Sequence, residues 1–137
     1  NLEDGVAWHG GTAKAWANTE YSRIMDPVCL SIFNGIKAVA EKLGLNLASL
    51  DNDLDDAMKA LASAWVSDSR WPPAPTSPGR FNVRESLDDM YLANNYLAKA
   101  MENNGIAEKR GLYSPRLMET QIKAIDDLLM SKQYFGE

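Results

Sequence analysis

The chain has 137 residues, 45% of them hydrophobic, with a formal net charge of −5 and a pI near 4.9. That size and apolar content suit a single helical domain with its own core and exclude an intrinsically disordered chain. The acidic balance argues against partners held through nucleic-acid phosphates or anionic lipid, and no run of about eighteen apolar residues offers a membrane span.

Residues 1–11 carry Gly5, Gly10 and Gly11 around Trp8-His9 and read as an irregular arm. Thr12 suits an N-cap for a first helix through Met25, with Ala13, Ala17, Tyr21 and Ile24 on one face. Asp26-Pro27 then reads as a restart, with Asp as cap and Pro at the first helical position. The second helix, to Leu43, stripes Cys29, Phe33, Ile36, Ala40 and Leu43. Gly44 suits the left-handed position that ends it.

Asn46 reads as the cap of a third helix from Leu47 to Ser67, striped by Leu47, Leu50, Leu54, Met58, Leu61 and Trp65. The stretch Arg70–Asn82 holds four of the six prolines, so neither a helix interior nor a central strand fits there. Arg70-Trp71 and Arg80-Phe81 bracket it as two cation–aromatic pairs. In a polyproline-like form its thirteen residues reach roughly 40 Å. That reach suggests a crossover that leaves the third and fourth helices parallel.

Asn82 with Glu85 reads as a capping box for a fourth helix from Val83 to Asn104, closed by Gly105 with Ile106 packing back on Met101. Its inward stripe is Val83, Leu87, Met90, Tyr91, Leu97, Ala98 and Met101. Asn94 lies among them and needs bonded partners. Leu92 and Tyr96 point the other way, with Ala93 and Ala100 nearby, and read as an outward contact face. Residues 106–113 read as a connector. Ser114-Pro115 opens a fifth helix to Tyr134, striped by Met118, Ile122, Ile125 and Leu129. The expected fold is all-α: a bundle of about five helices, built from two αα-hairpins plus an N-terminal helix, with a long Pro-rich crossover.

Chemistry-bearing motifs are few. Asp51, Asp53 and Asp55 imitate the first ligands of an EF-hand loop, but Asp56 stands where Gly is needed and Ala62 where the bidentate Glu belongs. On a helix these carboxylates diverge, and Asp55 with Lys59 makes an i, i+4 pair. Paired aspartates recur at Asp55-Asp56, Asp88-Asp89 and Asp126-Asp127, without the Glu-x-x-His pairs of a bundle metal site. The single histidine, His9, lies in the arm. Cys29 occupies a core-facing position and reads as a small buried hydrophobe; as the only cysteine it leaves no internal disulfide or cysteine-built zinc site.

Gly35–Leu45 resembles the first helix and turn of a helix-turn-helix. That resemblance implies a reading helix next, yet the next helix opens with four aspartates, which a DNA groove repels. Ser31–Ala57 is similar to the first helix and strand of sugar-type periplasmic binding proteins, which implies alternating strands.

The sequence therefore points to a non-enzymatic interaction or assembly subunit without cofactor, metal or catalytic residues. It would meet a protein partner, or a second copy of itself, through Arg70, Trp71, Arg80, Phe81, Leu92 and Tyr96. A second reading is a small-molecule-binding bundle with Trp65, Trp71, Tyr91 and Asn94 lining a cavity. A third is a carboxylate metal enzyme.

Overall fold

A computed structural model describes residues 13–50, 52–66, 83–109 and 111–135. The arm over residues 1–11 and the proline-rich stretch with Arg70, Trp71, Arg80 and Phe81 lie outside these residues. Among the described residues there are four helices and no strand: α1 Ala13–Lys42, α2 Asn52–Val66, α3 Arg84–Asn103 and α4 Pro115–Phe135. The chain is all-α.

Pro27 does not end a helix. Where two helices were expected, α1 runs through it without a break, which corrects the count of five. The ring removes the N–H that would bond the carbonyl of Arg23, and that loss is bearable here because Arg23 and Pro27 are both exposed. Meanwhile Met25, Val28, Cys29, Ile32 and Ile36 keep one buried stripe across the proline. Packing holds the helix where local propensity opposes it. Pro27→Ala should therefore stabilise the protein. The interior penalty of about 3 kcal/mol is offset in part by proline's restraint of the unfolded chain, leaving a net gain of about 1–2 kcal/mol. A urea midpoint that stays put or falls would show that α1 needs the ring.

Three helix ends follow their caps, whereas α3 starts at Arg84 with Val83 in the cap position and no side-chain capping bond. At α1, Gly44 (φ 75°) donates its N–H to the carbonyl of Glu41, and Leu45 donates to that of Ala40, a Schellman closure. The end of α3 repeats it: Gly105 (φ 66°) donates to Glu102 and Ile106 to Met101. At the start of α4 the Ser114 hydroxyl accepts the N–H of Leu117 at 3.2 Å, with Pro115 at the first helical position.

Asn46 caps only a turn. Its side-chain oxygen accepts the N–H of Ala48 at 2.9 Å and the hydroxyl of Ser49 at 3.1 Å. The helix begins at Asn52, five residues later than expected, and Leu47 stands 42% exposed instead of joining the stripe.

The closest helix pair is α2 with α3, across the proline-rich stretch and not within either expected hairpin. The two run antiparallel, which corrects the parallel arrangement. Asn103, at the end of α3, donates to Asp53, at the start of α2, at 3.0 Å. Ser63, near the end of α2, donates to Asp89, near the start of α3, at 2.7 Å. A long connector sets the greatest span, not the span used. Alanines explain the closeness, since Ala57, Ala60 and Ala64 of α2 and Ala93 and Ala100 of α3 are buried, and small side chains let helix backbones approach.

All four helices feed one hydrophobic cluster: Met25, Ile32 and Ile36 from α1, Leu54 and Leu61 from α2, Leu87, Met90 and Leu97 from α3, and Ile122 and Leu129 from α4. Both α1 and α3 contact each of the other three helices, so the bundle is tied through these two.

Candidate functional site

The interior polar groups converge on the seam between α3 and α4, at two places. The deeper one answers the need of Asn94, which is 2% exposed. Its amide nitrogen donates to the carbonyl of Pro115 at 2.9 Å, and its oxygen accepts the Tyr113 hydroxyl at 2.8 Å. The Tyr113 ring in turn packs against Gly35 of α1, where any Cβ would collide with it. Burial pushes the Tyr113 hydroxyl well above the usual tyrosine range. One side chain from the connector thus ties α1, α3 and the first turn of α4 together.

The second place is charged. Arg84, at the start of α3, grips Asp126 of α4 with two parallel bonds, Nη1 to Oδ1 and Nη2 to Oδ2, both 2.8 Å. Its Nε donates to Asp88 at 3.0 Å, and the Tyr91 hydroxyl donates to Asp126 Oδ2 at 3.1 Å. The Arg84 fork holds the Asp126 carboxyl below the usual range, helped by Tyr91 and opposed by burial. Partial burial, then the bond to Asp126, pushes the Tyr91 hydroxyl up to about 12.

A lowered carboxyl pKa gives stability that is present above the unfolded value near 3.9 and lost as pH falls through the folded value. Asp126→Asn should cost about 1–2 kcal/mol at pH 7, the modest end for a charged hydrogen bond because water reaches Arg84. The gap between wild type and variant should then close as pH drops below about 4. Urea titrations at pH 7 and pH 3 test this, and an unchanging gap would refute it.

Comparison with protein-family models, with curated proteins and with solved structures returned no match. The reading of function therefore rests on the residues themselves.

The other sequence-predicted groups fall apart in space. Asp53 accepts from Asn103, Asp55 pairs with Lys59 at 2.9 Å, and Asp56 faces solvent. Asp88 and Asp89 turn to Arg84 and Ser63, while Asp126 and Asp127 divide between the seam and solvent. Among the described residues no three His, Cys, Asp or Glu side chains gather as metal ligands, and no helix is long and apolar enough to cross a membrane. Cys29 is fully buried in α1.

Of the cavity residues, Trp65 meets Phe33 edge-on at 6.4 Å, Tyr91 is bonded to Asp126, and Asn94 is bonded to Tyr113 and Pro115. These three are each engaged elsewhere. The outward face of α3 also divides. Leu92 is 43% exposed, but Tyr96 is half-buried against the core, and Ala93 and Ala100 are buried. Sequence reasoning missed Arg84, Tyr113 and Asp126. Asp126 had a visible signal, since it lies one turn from both Ile122 and Leu129, on the core side of α4.

Proposed function

We propose that this chain is a non-enzymatic helical interaction or assembly subunit, a single domain that works by holding a rigid surface against a protein partner. The observation that carries this reading is the use of the interior polar groups. Arg84, Tyr91, Asn94, Tyr113 and Asp126 spend hydrogen bonds on one another, on Asp88 and on Pro115, tying helix to helix. Such fully partnered networks rigidify and specify one arrangement. Groups locked in this way are poorly placed to bind and turn over a substrate.

The contact elements proposed are the exposed Leu92 of α3 and the proline-rich crossover with Arg70, Trp71, Arg80 and Phe81, with Tyr96 contributing its outer edge. Proline-rich runs flanked by aromatic and cationic side chains suit protein contacts. The test is affinity purification of the tagged full chain from its native source, followed by identification of what remains bound. A stoichiometric protein partner, lost on Leu92→Asp, supports the reading. A chain that stays monodisperse and monomeric at high concentration and retains no partner overturns it.

A further inference from the structure

Five large hydrophobic side chains stand exposed among the described residues, and two of them share one line on α4: Leu117 at 59% and Leu128 at 46%. They are eleven residues apart, which brings an α-helix back to within about 20° of the same direction, roughly 16 Å along its axis. Between them on that line lie Gln121 and Ala124, both exposed. The line flanks the buried stripe of Met118, Ile122 and Leu129 and sits well away from it. Two leucines, one alanine and Gln121 thus form a second, narrower seam with the 4-3-4 spacing of a helix-pairing face.

The seam is nearly palindromic. A twofold axis through its midpoint, between Ile122 and Lys123, sets Leu117 of one copy against Leu128 of the other and Gln121 against Ala124. Charges agree with that pairing. Arg116 and Asp127 lie on one flank of the seam, roughly 90–110° from its centre. In an antiparallel pair like flanks meet, so Arg116 of each copy comes within about 3 Å, along the axis, of Asp127 of the other. Arg116 is available for this: its side chain is 83% exposed, and its Nε lies 4.0 Å from Glu108. Lys123, near the axis, sits further round toward solvent and does not face its own copy.

We propose that this face of α4 binds a second copy of the chain, helix against antiparallel helix, as an isologous dimer contact. The inference rests on the assembly reading above and adds a self-contact on α4, apart from the Leu92 surface of α3. The seam is shorter than a standard interface of about 800 Å² per partner, so the dimer is weak and concentration-dependent.

The test uses the full chain. Sedimentation equilibrium from about 10 µM to 1 mM should show reversible dimer formation, since small interfaces of this kind sit in the weak, transient class. Leu117→Asp and Leu128→Asp should each weaken it at least tenfold while leaving the helical signal and the urea midpoint unchanged. Arg116→Asp should weaken dimerisation too, and adding Asp127→Arg to it should restore it. Because Cys29 is buried, a cysteine at Ala124, beside the axis, becomes the accessible thiol. Ala124→Cys should form chain-to-chain disulfides on mild oxidation, and a control at exposed Lys99 should not. A monomer throughout the range, or a dimer indifferent to Leu117 and Leu128, overturns the proposal. A monomer that nonetheless retains a different protein partner overturns this inference alone and leaves the assembly reading standing.

Discussion

Gly35→Ala should destabilise the protein by about 2–4 kcal/mol, although alanine is the better helix former by about 1 kcal/mol. The cause is the Tyr113 ring. A Cβ at position 35 would meet Cδ1 and Cε1 well inside van der Waals contact and Cγ at 3.0 Å, in a fully buried place with no flexible end to swing aside. Overpacking of this kind costs about 1–3 kcal/mol. A displaced ring also carries its hydroxyl away from Asn94, whose buried oxygen then lacks a donor, for about 1–3 kcal/mol more. The diagnostic is sign reversal. In a Tyr113→Val background the clash is gone, so Gly35→Ala should become neutral or stabilising. Urea denaturation of the four proteins measures the coupling, and a Gly35→Ala variant that stabilises the wild type would refute the contact.

Asn94→Asp should cost about 3–5 kcal/mol at pH 7 and much less in acid. An ionised carboxylate there can still accept the Tyr113 hydroxyl, but it turns a second oxygen toward the Pro115 carbonyl, where the amide had donated. The site is 2% exposed, so water cannot compensate. Protonated, the introduced carboxyl is nearly the shape of the amide and can donate to Pro115 again. Burial lifts its folded pKa above the unfolded value near 3.9, so the stability it gives is present below that value and lost as pH rises. The deficit against wild type should therefore shrink as pH falls toward 4, in the same direction as the Asp126→Asn gap but for the opposite reason: here acid removes a charge from a site that rejects it, and there it removes one that the wild type uses. A deficit independent of pH would show that the Pro115 carbonyl has moved away.

Helix ends were readable because their signals are local. Gly44, Gly105 and Ser114-Pro115 each satisfy backbone groups within a few residues, and no distant contact can reverse that. Pro27 misled because its rule is equally local, while the unbroken spacing of Met25, Val28, Cys29 and Ile32 pointed the other way. Asn46 gave its bond to a turn, since one side-chain oxygen serves either use. Pairing was harder. The close packing of α2 and α3 uses alanine faces that look, in sequence, like ordinary helix filler. Asn94 announced that it needed a partner, but Tyr113 stands nineteen residues away in a connector. Its place directly before the cap of α4, with Met118 buried five residues on, is the pattern of a hydrophobic staple and was the available clue.

The position of α3 bears on how the molecule comes apart. It touches the other three helices, and the polar ties at Asp89, Asn94 and Arg84 all radiate from it. α1 likewise contacts each of the other three, so no helix packs independently of the rest. Unfolding is then a single cooperative step for the described bundle, with calorimetric and van't Hoff enthalpies in agreement.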